Sequence, residues 1–169
     1  MILAIAILYF ALFSFLAYKN FKTALGLFII LLPSYFVRFN IGPLPTTLLE
    51  WSFGALFLVW LLKYFKSDWT EIEKFYNQRR LLCWFIILFL NFSILGIFIS
   101  NEPIKSLGIW RAYFLEPILF FGLLVAHRRE IKRDDLIWFL SLSTVSISVV
   151  AILQKITGEP ILTSLIKAD

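Results

Sequence analysis

Apolar residues run along this chain in long segments that short polar connections separate. A helix needs about 17–25 mostly apolar residues to cross the roughly 30 Å hydrocarbon layer of a bilayer. Six segments are about this long, and the second is the weakest because Pro33 and Arg38 shorten or kink it. The pattern predicts an all-α bundle, a single transmembrane domain of about six spans, over residues 1–18, 23–39, 46–65, 81–100, 104–126 and 135–157.

Two of the polar connections carry sequences that are typical of helix starts. Thr47-x-x-Glu50 predicts a capping box at the beginning of the third span. Asp68-x-x-Glu71 predicts the same kind of start for a short linker helix over about 68–78.

The linker helix has a mixed polar and apolar character. Its Trp69, Ile72 and Phe75 fall on one stripe, whereas most of its other residues are polar or charged. A helix of this kind lies in the headgroup layer as an interfacial amphipathic helix. A solvated charged loop with a few buried anchors fits the same residues, so both interpretations stay open.

The composition excludes a soluble globular domain. Of the 169 residues, 60% are hydrophobic and 16% are charged. Soluble domains average about 45–50% apolar and about 25% charged residues. The one cysteine, Cys83, excludes a disulfide framework and any cysteine-based metal site. The one histidine, His127, stands beside Arg128 and Arg129 at a segment end, which is typical of an interfacial residue rather than a metal ligand.

The placement of basic residues predicts the topology. Eleven of the 16 lysines and arginines lie in the first, third and fifth connections. Because cytoplasmic connections carry the excess of Lys and Arg, these three are expected to be cytoplasmic and both termini external, in the cell inner (cytoplasmic) membrane. The net charge of +5 is then explained by the basic cytoplasmic connections, which have anionic membrane lipid as their partner. A nucleic-acid partner is not needed to explain it. The other five basic residues are Arg38, Lys105, Arg111, Lys155 and Lys167.

The fifth span carries two charges, Arg111 and Glu116. At about 1.5 Å per residue from residue 104, Arg111 lies about 10 Å and Glu116 about 18 Å below the outer surface. An unpaired carboxylate at such depth costs at least ~2.5–3.5 kcal/mol. Five residues are about 140° apart around an α-helix, so the two are not an i,i+4 pair and each is expected to face another helix or water. Glu116 is therefore expected to be either protonated or paired with a basic residue from another helix, such as Arg38.

Pro117 follows Glu116 directly and changes the backbone of the same span. Proline has no N–H and leaves the carbonyl of Tyr113 without its helical partner, which predicts a kink. With the aromatic residues Trp110, Tyr113 and Phe114, this predicts a polar cavity in the outer leaflet, and a structural salt bridge between helices is the alternative. No phosphate-binding glycine loop, paired-carboxylate motif, histidine cluster or nucleophile elbow is present in the sequence, so it predicts no catalytic residue, metal or cofactor.

Two stretches resemble a known family. Arg38-Phe-Asn-Ile-Gly-Pro-Leu-Pro-Thr-Thr-Leu-Leu-Glu50 and Gly108-Ile-Trp-Arg-Ala-Tyr-Phe-Leu-Glu-Pro117 resemble the N-terminal half of O-antigen ligase and O-antigen polymerase-like membrane proteins. The end of the sixth span, Leu153-Gln-Lys-Ile-Thr-Gly158, resembles the point where those proteins leave the membrane. The resemblance implies a polytopic protein of polysaccharide biosynthesis in the cell envelope. Such proteins transfer a glycan, without a metal, from an undecaprenyl-diphosphate carrier to an acceptor on the outer face.

The resemblance also limits what can be carried over. The catalytic Arg and His residues of the family lie in a large external loop of the C-terminal half, and this chain ends at Asp169 without one. We therefore expect that this chain is the N-terminal part of a larger protein and that it is inactive alone. We expect no catalytic residue among its 169 residues. What remains is a set of candidates for holding a lipid diphosphate or lining a polar cavity: Arg38, Lys105, Arg111 and Glu116. A small transporter or flippase with Glu116 as an ion or proton site, and a non-catalytic scaffold, are the alternatives.

Overall fold

The computed structural model describes the backbone of residues 2–41 and 44–158 and the side chains of residues 7–37 and 46–158. This part of the chain is almost wholly helical, with short 3₁₀ and π turns and one β-hairpin. The α-helices are α1 (Ile2–Lys19), α2 (Phe21–Ile30), α3 (Leu48–Val59), α4 (Phe65–Gln78), α5 (Arg80–Ile99), α6 (Pro103–Trp110), α7 (Glu116–Ala126) and α8 (Arg133–Thr157).

Within the described residues, four helical stretches are long and apolar enough to cross a membrane: Leu48–Gln78, Arg80–Ile99, Pro103–Ala126 and Arg133–Thr157. Two further apolar helices, Ile7–Lys19 and Phe21–Ile30, are shorter. The all-α class is confirmed and the apolar helices favour a membrane protein, whereas the count of six spans stays a prediction. The first stretch joins α3 to α4 through a π turn, Trp60–Tyr64, so the predicted linker helix continues the third span without a break.

The second predicted span differs from a single helix over 23–39. Helix α2 ends at Ile30, and its ten residues reach only about 15 Å. A 3₁₀ turn, Leu32–Phe36, follows with Pro33 in its first positions, where a missing N–H costs nothing. The chain then forms an antiparallel hairpin of β1 (Arg38–Ile41) and β2 (Leu44–Thr47), in which Arg38 pairs with Thr47. Helix α2 thus covers only part of the predicted span over 23–39, which was expected to be shortened or kinked at Pro33, whereas the hairpin was not expected.

The chain divides into two compact units, and the first comprises Met1–Lys63 with Arg129–Asp169. Helix α2 lies at its centre and packs against α1, α3 and α8. Its Ala24 and Leu25 have no solvent exposure, and neither has Leu56 of α3. One polar contact crosses this apolar interior, where the Tyr9 hydroxyl lies 2.6 Å from Oγ of the fully buried Ser52.

Polar side chains fix the ends of helices in the first unit. Thr47 Oγ1 accepts the N–H of Glu50 at 3.2 Å, which confirms Thr47 as the N-cap of α3. Lys63 Nζ donates to the carbonyl oxygen of Tyr18 at 2.6 Å and lies 4.0 Å from the centre of the Tyr18 ring. Lys63 thus donates a hydrogen bond to one of the last carbonyl groups of α1, which have no N–H partner within the helix. At the other end of the unit, α8 stops at Gly158, whose φ of 67° is the left-handed value that glycine adopts most easily.

The second unit, Tyr64–Arg128, contains α4 to α7. Helix α5 packs against α6, and the rings of Phe89 and Phe114 lie 5.5 Å apart. No residue of α5 is buried, and large apolar side chains are exposed over most of its surface, with one face half-buried. A helix that is apolar all round needs an apolar surrounding, so this exposure favours a lipid environment.

Candidate functional site

Arg111 and Glu116 form an ion pair within one helical segment. Arg111 Nε lies 3.1 Å from Glu116 Oε1. The expectation that the two do not pair with each other, and that each faces another helix or water instead, is therefore wrong. The Arg111 side chain is 50% exposed and that of Glu116 is 20% exposed, so the cation is the more accessible partner.

A π turn over Arg111–Leu115 explains why residues five apart meet. The N–H of Glu116 donates to the carbonyl of Arg111, five residues back, instead of to that of Ala112. In a π turn, residues i and i+5 lie one above the other, as i and i+4 do in an α-helix. The 140° separation that an α-helix would impose is thereby removed.

Pro117 accounts for the position of this turn. Its ring would crowd the carbonyl of Tyr113 in a regular α-helix, and it has no N–H to donate. Wider local turns are a recognised way for membrane helices to accommodate proline. The predicted disturbance at Pro117 therefore takes the form of a π turn immediately before it.

Hydrogen bonds hold the segment beside α5. Trp110 Nε1 donates to Ser93 Oγ at 2.7 Å, and Ser93 Oγ in turn donates to the carbonyl of Leu90. Near the start of α6, the Ser106 and Ser100 hydroxyls are 2.6 Å apart. Trp110 directly precedes Arg111, and its side chain is hydrogen-bonded to Ser93 of α5. This bond holds the start of the π turn beside α5.

The other two candidates lie elsewhere. Lys105 pairs with Glu102 at 3.0 Å, with both side chains largely exposed (73% and 66%), a geometry that contributes little to stability. The backbone of Arg38 lies in β1, in the first unit, and its side chain is outside the described residues. Its pairing with Glu116 therefore stays a prediction.

The second unit also contains a charge cluster that sequence reasoning missed. Glu71 Oε2 accepts from both Nε and Nη2 of Arg128 at 3.2 Å, and Asp68 Oδ2 lies 3.5 Å from His127 Nε2. His127 is only 3% exposed, so its side chain is buried within the protein. The predicted capping role of Asp68 and Glu71 is wrong, because α4 begins at Phe65 and both carboxylates point to the end of α7. We name Asp68, Glu71, His127 and Arg128 the α4–α7 charge cluster.

Neither site has the ligand set of a metal centre. In the stretches 2–41 and 44–158, no three His, Cys, Asp or Glu residues are grouped so that they could hold a metal ion. The charge cluster joins α4 to α7 by ion pairs, whereas the Arg111–Glu116 pair lies on one segment with its cation half-exposed. The latter is the arrangement that suits binding of an anion.

Comparisons of the chain with protein-family models, with curated proteins and with solved structures found no match.

Proposed function

We propose that this chain is a multi-pass protein of the cell inner membrane that binds the diphosphate of a lipid-linked glycan through Arg111. In this proposal the chain crosses the membrane six times, with both termini external, and takes part in glycan transfer from an undecaprenyl-diphosphate carrier. The observation that carries the proposal is the Arg111–Glu116 pair on the π turn before Pro117. The resemblance of Gly108–Pro117 to O-antigen ligase and polymerase-like proteins suggests the ligand.

The pair suits this role for an electrostatic reason. A lone guanidinium about 10 Å below the surface is costly, and a nearby carboxylate stabilises it while the site is empty. A guanidinium binds a phosphate in bidentate fashion through two parallel N–H groups. Because Arg111 is the more exposed partner, a diphosphate would approach the cation from the side away from Glu116.

The test measures binding of undecaprenyl diphosphate to the purified chain in detergent. Arg111→Lys keeps the charge but loses the bidentate geometry, so we expect about tenfold weaker binding, corresponding to ~1.4 kcal/mol, and a larger loss for Arg111→Ala. Arg133→Ala, which removes an exposed cation at the start of α8, is the matched control and should leave the affinity unchanged. Unchanged binding by Arg111→Ala would remove the proposed role of this residue.

The proposed topology has its own test. Reporter fusions at Lys74 and Lys132 should behave as cytoplasmic, and fusions at Pro43, Glu102 and the C-terminus as external, because the basic connections are retained in the cytoplasm. An external signal at Lys74 would overturn this orientation.

A second candidate function is transport, with Glu116 as an ion or proton site. The observation that favours it is the low exposure, 20%, of an acidic side chain inside a span. Proteoliposomes distinguish the two functions. Proton-coupled uptake that is lost in Glu116→Gln, together with no binding of undecaprenyl diphosphate by the unmodified chain, would support transport and contradict the glycan-carrier proposal.

A further inference from the structure

Helix α4 directs one face toward α7, and this face holds two of its three acidic residues. The ring of Phe75 lies 5.8 Å from that of Phe121. Beside this apolar contact, Glu71 accepts two N–H groups of Arg128, and Asp68 lies against His127. The Asp68 and Glu71 side chains are only 16% and 11% exposed, so their charges face inward.

A second face of α4 carries apolar rings that are partly exposed. Phe65, Trp69 and Tyr76 are 37%, 52% and 38% exposed, and they follow a spacing of four and seven residues, with Ile72 between the last two. We name Phe65, Trp69, Ile72 and Tyr76 the aromatic stripe. The sequence predicted Phe75 on this stripe, but Phe75 packs on α7 instead.

The charge that α4 presents outward differs from what its sequence suggests. Residues 65–80 contain four basic and three acidic residues, a nearly balanced set. With Asp68 and Glu71 turned toward α7, Glu73 is the acidic residue of this stretch that remains exposed. The basic residues are all exposed: Lys66, Lys74, Arg79 and Arg80. Lys74 Nζ also reaches Glu71 at 3.1 Å, so the cations that remain beside this face are Lys66 in α4 and Arg79 and Arg80 directly after it.

We propose that the aromatic stripe and its flanking cations bind the anionic headgroup layer of the membrane, with the α4–α7 charge cluster holding the acidic residues away from it. Tryptophan and tyrosine favour this layer because one end of each ring is apolar and the other polar. Lysine and arginine beside them are attracted by the negative surface potential of anionic lipid. The proposal rests on the membrane insertion proposed above.

Spin labels on the 169-residue chain in lipid vesicles test the orientation of α4. On a Cys83→Ser background, a label is introduced by Trp69→Cys, Lys66→Cys or Phe75→Cys, and its accessibility to oxygen and to a water-soluble nickel complex is measured. We expect oxygen to exceed nickel at 69, nickel to exceed oxygen at 66, and both to be low at 75. A label at Phe92→Cys in α5 reports insertion, since Phe92 is a 68% exposed apolar residue.

The outcomes separate the two proposals. Nickel access at both 92 and 69 would mean that the chain is not inserted, which contradicts the proposed function. Lipid exposure at 92 with nickel access at 69 would place the stripe in water and overturn the present inference alone. Low access to both reagents at 69 would mean that protein covers the stripe, and this too would overturn it.

The preference for anionic lipid has a separate measurement. The label at 69 should lie deeper in vesicles of phosphatidylglycerol mixed with phosphatidylcholine than in phosphatidylcholine alone. This shift should be lost when Lys66, Arg79 and Arg80 are all changed to Gln, and kept or enlarged in the matched control Glu73→Gln. The label at 75 must stay protected in each variant, which shows that α4 still packs on α7. Equal depth in the two kinds of vesicle would refute the electrostatic part of the proposal.

Discussion

Gly26 is the position at which the addition of one methyl group has the most direct consequence. It lies in α2, where this helix meets α8. A Cβ atom built on Gly26 would lie 2.5 Å from Cζ of Phe139, and 2.7 Å and 2.9 Å from the two Cε atoms. Carbon atoms in favourable contact are about 3.5–4.0 Å apart. Gly26→Ala therefore requires the ring of Phe139 to withdraw by about 1 Å.

Two opposing terms set the size of the effect. Overpacking of a core contact costs about 1–3 kcal/mol, whereas alanine in a helix is more favourable than glycine by ~0.5–1 kcal/mol. Because Phe139 is only partly buried, its ring can relax, and we take the lower half of the packing cost, about 1–2 kcal/mol. The expected net change for Gly26→Ala is a loss of about 0–1.5 kcal/mol in the free energy of unfolding.

Reversible unfolding in mixed micelles gives the measurement, and Gly54→Ala is its matched control. Gly54 lies in α3, and a Cβ there meets nothing within 4 Å, so this change should stabilise the protein by ~0.5–1 kcal/mol. The two substitutions share the propensity gain, so their difference isolates the packing of α2 on α8. Phe139→Leu should restore part of the stability of Gly26→Ala. Equal stability of the two alanine variants would refute the close approach of Phe139 to Gly26.

Two further substitutions probe the first unit by the same unfolding measurement. Tyr9→Phe removes the hydroxyl that contacts buried Ser52 and should cost about 1 kcal/mol, and a neutral result would show that this contact contributes nothing. Lys63→Met keeps the apolar stem but loses the bond to the Tyr18 carbonyl, so we expect a loss of about 0.5–1.5 kcal/mol; Lys66→Met, at an exposed position, is the control and should have little effect.

The long apolar helices could be predicted from the sequence, whereas the polar contacts could not. The length and composition of a segment such as 81–100 predict a helix, and α5 lies there. The hairpin of β1 and β2 was missed because a count of apolar residues does not distinguish a short strand from the end of a span.

The pairing of charges depends on geometry that no local pattern encodes. Glu71 and Arg128 are 57 residues apart in sequence, so their contact follows from the packing of α4 on α7. Within one segment the difficulty is of another kind. The prediction for Arg111 and Glu116 assumed regular α-helical angles, and the π turn changes the angle between them. Pro117 was the available signal, but it indicates a disturbance without specifying which kind.

The π turn lowers two energetic costs of the fifth predicted span, that of a proline within a helix and that of two unpaired charges. The π turn accommodates the missing donor and the bulky ring of Pro117, and it brings Glu116 over Arg111. Each charge alone would cost ~2.5–3.5 kcal/mol near the middle of a bilayer, whereas a pair within one segment enters with its own counter-ion. The segment therefore needs no partner helix to neutralise it. It follows that Pro117, which need not touch any ligand, controls the position of the Arg111 guanidinium, because a return to regular α-helix would turn Glu116 about 140° away from it.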